Sequence, residues 1–487
     1  MGNLTDGEIH EIFIKYPIGE KAEEKGASKE RWLNSQIEKA RDFVKDQAKQ
    51  PGKNVKVILK NEPSATVLLL DEEEKNERRF NFTDVGNAKR FASKHGDNVR
   101  YCFPFSRWFV WDSKRWLPDD IGKIMRKAKS VIKEMYSEVK CIEDKEDRKE
   151  FIKHVMSCES ERKLKSMVSL AQSESRIPIL PGELDQDSWL LNCLNGTINL
   201  KTGELQPHNR EDMLTKLAPW EYDPKAQCPN WLDHLNKVMN GDQGMISFLQ
   251  RALGCSCTGI TDERVIFIEH GSGANGKSLT NDVIVLALGD YAARTPTETL
   301  LVKKYDGGIP NDIARLNGAR FVNSSEVEAG RRLAESQIKD LTGGDKITAR
   351  FLRAEFFEFY PLFKIWLSTN HKPVIRGTDN AIWDRIRLIP FTVRFEGKEK
   401  KPKNELMEAF KNEMPGILNW LVQGCLDWQR QGLNPPKKVM GATDDYRTEM
   451  DILGNFINEC CHLAKTAECT VKDLYERYGK WCTGILL

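Results

Sequence analysis

The run Gly271-Ser272-Gly273-Ala274-Asn275-Gly276-Lys277-Ser278 fits G-x-x-x-x-G-K-[ST]. The apolar Val265-Ile266-Phe267-Ile268 precedes it, with the composition of a buried strand. Leu279 to Leu288 comes next and reads as a helix. Strand, glycine-rich turn and helix in that order restrict this part of the chain to an α/β fold on a parallel sheet. Glycine lets the backbone curl until its N–H groups face one point, and the helix start adds its positive dipole end. The expected ligand is a nucleoside triphosphate. Gly271, Ser272, Gly273, Ala274, Asn275, Gly276, Lys277, Ser278 and Leu279 form the expected cradle. Lys277 is placed to neutralise the β- and γ-phosphates, and the Ser278 hydroxyl to hold Mg²⁺.

A chain of 487 residues exceeds one ordinary core, so several domains are expected. Its 74 basic and 72 acidic residues nearly cancel, which excludes a global electrostatic argument for nucleic acid. Any basic surface must be local. The sequence has no run of eighteen apolar residues, and its first twenty are polar and acidic. Neither a membrane span nor a signal peptide is expected, and the cytoplasm is the expected location. Twelve cysteines include no C-x-x-C; Cys255-x-Cys257 and Cys460-Cys461 are the only close sets. That spacing reads as thiols in a reducing compartment rather than a zinc site.

Residues 1 to 50 read as helices, with Trp32, Ile37, Ala40, Phe43 and Val44 at helical spacing. Val55 to Leu59 and Val67 to Leu70 are strand-like. Tyr101 to Leu117 alternates aromatic and polar residues around Asp112-Ser113-Lys114 and predicts a hairpin. A long charged helical region is expected from Ile121 to Ala171, and two short strands with a turn from Trp189 to Gly203. Helices are expected again over Trp231 to Leu253, Asn404 to Gln431 and Met450 to Trp481, with a basic linker from Lys398 to Lys403.

Three later segments can complete a hydrolytic site. Ala319 to Glu326 is a short strand ending in a carboxylate, which on a parallel neighbour would polarise an attacking water and meet Mg²⁺. Phe363 to Asn370 is another strand, ending in an amide that can sense a γ-phosphate or cap the turn before His371-Lys372-Pro373. Between them, Gly343 to Tyr360 predicts a hairpin with its tip near Arg353 and Ala354. Lys346, Arg350 and Arg353 give it a basic edge for nucleic-acid phosphates, while Phe351 and Phe356 read as packing. Trp383 to Phe391 sets Arg385 and Arg387 at the start of an apolar strand, a pattern suited to reaching a neighbour's γ-phosphate.

Together these motifs resemble superfamily 3 helicases of the phage and plasmid primase–helicase type, related to poxvirus and papillomavirus replicative helicases. The matching runs are Gly273 to Ser278, Ser325-Glu326, Gly344-Asp345-Lys346, Ser368 to Pro373 and Asp384 to Arg387. The resemblance implies an AAA+-like ATPase core with a parallel sheet, preceded by α+β and helical domains. Its implied divisions are a primase-like helical segment at 1–50, a small β region at 51–85, a poxvirus-type α+β domain at 86–253, the ATPase at 254–395 and a helical region at 396–487.

It further implies Lys277, Glu326, Asn370 and Arg385 as catalytic residues, Ser278 and Glu326 for the metal, and Lys346, Arg350 and Arg353 for DNA in the channel of a hexamer. Asn323-Ser324-Ser325 lacks the adjacent acids of the viral relatives, so one carboxylate, a hydroxyl and water would hold Mg²⁺. No primase signature is found, which implies a polymerising domain on another polypeptide or on a longer version of this chain. An initiator that melts an origin without processive unwinding, or an adaptor switched by ATP, stands as the alternative.

Overall fold

The computed structural model describes residues 80–303, 311–350, 352, 356–377, 379–397, 401–464 and 468–485, with side chains to 482. The helices and strands expected over 1–79, Phe351 and Arg353 at the hairpin tip, and Lys398 in the basic linker lie outside them. Contacts divide the chain into residues 1–87 and 88–487, and all the described strands belong to the second unit.

Helix α1 (Asp84–His95) leads into an antiparallel sheet of β1 (Val99–Cys102), β2 (Arg107–Trp111) and β3 (Trp116–Pro118). The turn between β2 and β3 forms because Asp112 Oδ1 accepts the N–H groups of Lys114 and Arg115, both at 2.8 Å. The expected hairpin is there, with β1 as a further strand. The long charged segment is three helices: α2 (Lys123–Glu138), α3 (Lys145–Cys158) and α4 (Glu161–Ala171). Asp144 and Ser160 break it, each capping the next helix. A second small sheet holds β4 (Leu190–Cys193), β5 (Gly196–Asn199) and β6 (Glu204–Gln206), one strand more than expected.

The expected Trp231 to Leu253 helix is α5 (Pro229–Val238) and α6 (Gln243–Cys255), parted where Asn240 and Gly241 turn left-handed. Next come β7 (Ile266–His270), α7 (Lys277–Leu288), β8 (Ala292–Arg294), α8 (Asn311–Ala314), β9 (Phe321–Ser325), α9 (Glu335–Gly343), β10 (Ile347–Arg350), β11 (Phe356–Phe359), β12 (Lys364–Thr369), α10 (Asn380–Trp383) and β13 (Ile386–Pro390). Helices α11 (Lys403–Asn412), α12 (Met414–Gln431), α13 (Lys437–Met450), α14 (Ile452–Cys460) and α15 (Val471–Ile485) complete the chain.

Five of these strands form one parallel sheet in the order β13-β7-β12-β9-β8. Side chains alternate between its faces. Phe267, Phe321, Trp366 and Ile389 join one apolar cluster, with Leu249 of α6, Ile284 of α7 and Leu421 of α12. Ile266, Ile268, Ile365 and Leu367 join another, with Ile338 of α9 and Tyr446 of α13. Covered on both faces, the strands read as unbroken apolar runs rather than alternating ones. Each such buried side chain contributes roughly 1.5–3 kcal/mol. Phe267 and Trp366 stack with centroids 4.3 Å apart, and the Trp366 indole N–H reaches Ser256 Oγ at 3.0 Å.

The first cluster extends from Leu191 to Val439, so the segments expected as 86–253, 254–395 and 396–487 share a core. Close contact of α6 with α12 explains this. A methyl on Gly254 would lie 2.2 Å from the Cys425 backbone N, so only hydrogen fits there.

Candidate active site at the carboxyl edge of the parallel sheet

Strands β7, β12 and β9 end level with one another, because Ser368 is in register with Glu269 on one side and Ser325 on the other. The residues just beyond those three positions therefore emerge at one edge, where open α/β sheets take their ligands.

The loop 271–276 leaves β7 there and turns into α7. Gly276 sits at φ +87°, and a methyl on it would lie 2.6 Å from Val238 Cγ2 of α5. The loop is braced from β13 and the chain beyond it. Asn275 Nδ2 donates to Phe391 O at 3.3 Å, Phe391 N to His270 O at 2.8 Å, and Phe395 N to Ala274 O at 2.8 Å. Among the described residues no backbone acceptor takes the N–H groups of Ala274, Asn275 or Gly276, and no side chain caps α7. Ser272, Gly273, Ala274 and Ser278 are exposed, and Leu279 is half-buried. Unpaired N–H groups at an exposed helix start form a cradle for a polyanion.

Lys277 is buried, and its Nζ donates to Gly271 O at 2.7 Å and to Asn370 Oδ1 at 3.2 Å. Burial holds its pKa below the usual lysine range, partly offset by the Glu269 carboxyl. Asn370 lies just past the end of β12, exposed, and its Oδ1 also accepts the Gly273 N–H at 3.3 Å. Glu326 lies just past β9 on the far side of β12, exposed, with its N–H on Ser368 O at 3.0 Å. Its φ of +72° is uncommon for a side chain of this length. Two strand spacings, about 10 Å, separate β9 from β7. The oxygen pair of Ser278 and Glu326, both exposed, has the hard-donor chemistry that Mg²⁺ takes.

Arg385 is elsewhere. Its backbone O accepts from Ile266 N, so it stands at the start of β13, one strand length or about 13 Å from the loop edge. Its guanidinium donates to Thr342 Oγ1 at 3.1 Å and Ala381 O at 2.5 Å. It does not reach the phosphate loop of its own chain.

The predicted hairpin is β10 and β11, paired from Ile347↔Phe359 to Arg350↔Phe356. Lys346 is exposed, 3.9 Å from Glu358 and over the ring of Tyr360. The Arg350 guanidinium lies over Phe356, 4.5 Å from its centroid. Phe356 is 59% exposed, which corrects its reading as a packing residue: side chains alternate along β11, so Phe357 and Phe359 face the core while Phe356 and Glu358 share the outer face.

Sequence reasoning missed the groups beneath the loop. Glu269 is fully buried and accepts hydrogen bonds from Asn281 of α7 and Ser368 of β12. Burial raises its pKa to about 7. The available signal was a charged residue closing the otherwise apolar Val265 to Ile268. His234 of α5 meets Thr280 Oγ1 at 3.0 Å behind the loop, and burial lowers its pKa to about 4.

Residues 88–240 match the family model described as D5 N terminal like. A "Putative helicase" of Acanthamoeba polyphaga mimivirus is 27% identical over 319 residues, covering 61% of this chain and 33% of that protein. A "Putative helicase" of Frog virus 3 is 28% identical over 257 residues, 49% of this chain and 26% of its own length. A "Putative primase" of African swine fever virus is 25% identical over 326 residues, 61% and 34% respectively. The matches thus span about a third or less of these relatives. The solved apo C-terminal region of NrS-1 overlays 78% of this chain and 81% of its own at 11% identity, with a TM-score of 0.44. The likeness to viral primase–helicases stated from the motifs is shown by these relatives.

Proposed function

We propose that this chain, homologous to proteins named as helicases and primases of large DNA viruses, is an ATP-driven DNA motor of replication. One observation carries the reading. Lys277, the Gly273 N–H and Asn370 meet at one point on the carboxyl edge of the sheet, at the mouth of a loop with unpaired N–H groups.

In the proposed reaction the β- and γ-phosphates of ATP rest on the N–H groups of residues 273 to 277 and on Lys277. Lys277 leaves Asn370 for a phosphate oxygen, and the freed amide faces the γ-phosphate or the water beyond it. Ser278 and Glu326 would hold Mg²⁺, which would supply charge neutralisation at the phosphate oxygens. Glu326 orients the water and receives its proton as the new P–O bond forms and the β–γ bond breaks. Arg385, out of reach of its own site, serves the nucleotide of an adjacent subunit, which implies a ring. Lys346, Arg350 and Arg353 of the hairpin follow the DNA backbone, with Phe356 and Tyr360 as faces for unpaired bases.

The test combines hydrolysis with strand displacement on forked DNA, for the parent chain and Lys277→Ala. The reading expects both activities in the parent and neither in the variant. Hydrolysis without displacement would favour an origin-melting initiator. Replication supported by Lys277→Ala would favour an ATP-switched adaptor.

A further inference from the structure

Two rungs join helix α7 to strand β12. The upper rung is Lys277 to Asn370, and the lower is Asn281 Nδ2 to Ser368 Oγ at 2.8 Å. The spacing is geometric on the helix, where i and i+4 share a face; Asn370 follows Ser368 by two residues, just past the end of β12. Glu269 of β7 braces the lower rung, its Oε2 accepting from Asn281 Nδ2 at 2.5 Å and Ser368 Oγ at 2.6 Å. Its Oε1 has no partner among the described residues, and the whole side chain is inaccessible to solvent. Among the described residues the only charged group acting on it is Lys277, above it at the helix start.

A carboxyl in this position is unfavourable for folding, and an apolar side chain of similar size would fit a sheet buried on both faces. Its place is better explained by the upper rung. When a γ-phosphate draws Lys277 away, the contact between α7 and Asn370 is lost, while the lower rung stays. That rung then keeps the end of β12 at a fixed distance from the loop. Burial raises the Glu269 pKa to about 7, and protonation at Oε1 leaves both bonds to Oε2 intact.

Building on the ATPase reading above, we infer that Glu269 is a positioning residue which, through Asn281 and Ser368, holds Asn370 where hydrolysis needs it. Nucleotide binding depends on the loop and not on this brace.

The test measures kcat, KM and the dissociation constant of a fluorescent ATP analogue for the full chain. Glu269→Ala is expected to lower kcat about tenfold or more, with binding changed less than about threefold. Glu269→Gln keeps an acceptor oxygen and should recover most of the loss. In an Asn370→Ala background, Glu269→Ala should cost little more, since it acts through that residue. Parent-like kcat in Glu269→Ala, or losses that multiply in full with those of Asn370→Ala, would overturn the inference. A crystal structure of Glu269→Ala gives a readout independent of turnover. Asn370 displaced from Lys277 supports the role, and Asn370 unmoved rejects it. A parent chain that never hydrolyses ATP would instead overturn the ATPase reading, leaving the crystal structure to decide the positioning.

Discussion

The ammonium of Lys277 lies 3.2 Å from the side-chain oxygen of Asn370, 93 residues further along the chain. A lysine at the mouth of an anion cradle is thus held by a neutral amide that a phosphate oxygen would outcompete. The contact links occupation of the loop to the end of the neighbouring strand.

Asn370→Ala should lower kcat about 10²–10³-fold, the usual loss for one preorganised hydrogen-bonding group at a reacting centre. Nucleotide binding should stay within a few-fold, because the loop N–H groups and Lys277 remain. Steady-state hydrolysis beside equilibrium binding checks this. An equal loss in both would assign Asn370 to binding.

Glu326→Gln should bind ATP and hydrolyse it about 10²–10⁴-fold more slowly, the range for removing a general base. Single-turnover measurement with saturating Mg²⁺ separates this from weakened metal binding. A variant restored by excess Mg²⁺ would make Glu326 a metal ligand alone.

Arg385 stands at the amino end of β13, whereas the loop leaves the carboxyl end of its neighbour β7. Mixing Lys277→Ala subunits, which keep the arginine, with Arg385→Ala subunits, which keep the loop, should therefore restore part of the hydrolysis lost in each. No recovery at any ratio would exclude action between subunits.

Lys346→Ala with Arg350→Ala should weaken single-stranded DNA binding and flatten the plot of log affinity against log salt by about 1.4, two phosphate contacts' worth. Phe356→Ala should cost about 1–3 kcal/mol of binding and leave the slope alone, as expected of a stacking face. Titrations across a salt series distinguish the two, and a changed slope in Phe356→Ala would contradict base stacking.

Glu269 titrates near pH 7 in the folded chain against the ordinary carboxylate value when unfolded. Between those values the native state holds a proton that the unfolded chain has released, so its contribution makes stability fall as pH rises. The effect is complete above pH 7 and is worth on the order of 3–4 kcal/mol. Glu269→Gln lacks it, and its stability relative to the parent should increase from pH 5 to pH 8. His234 opposes this in the parent, since acidification below its usual pKa favours the unfolded, protonated ring. It is common to both proteins and cancels in the difference. Denaturant unfolding at each pH reads the trend, and a flat difference would place Glu269 in a solvated setting.

The phosphate loop was legible in full because its function needs backbone N–H groups in one contiguous turn, and residues 271 to 278 carry that information side by side. Glu326 and Asn370 were legible one step removed. Each closes an apolar run, and parallel strands of similar length bring such closing residues to one edge. Helix breaks at Asp144 and Ser160 were missed, although both residues are ordinary caps, since helical periodicity runs on through them.

The sequence alone determined the loop, the α/β core built around it, and the two polar residues that end its neighbouring strands, all of which come from local pattern. Tertiary structure decided the remainder. Only the strand order puts β12 between β7 and β9, so that Lys277 meets Asn370 and Glu269 meets Ser368. Packing also leaves Phe356 in solvent and turns the Arg385 guanidinium onto Thr342 and Ala381. Which strands become neighbours depends on packing among segments distant in sequence, and no short window of residues encodes that.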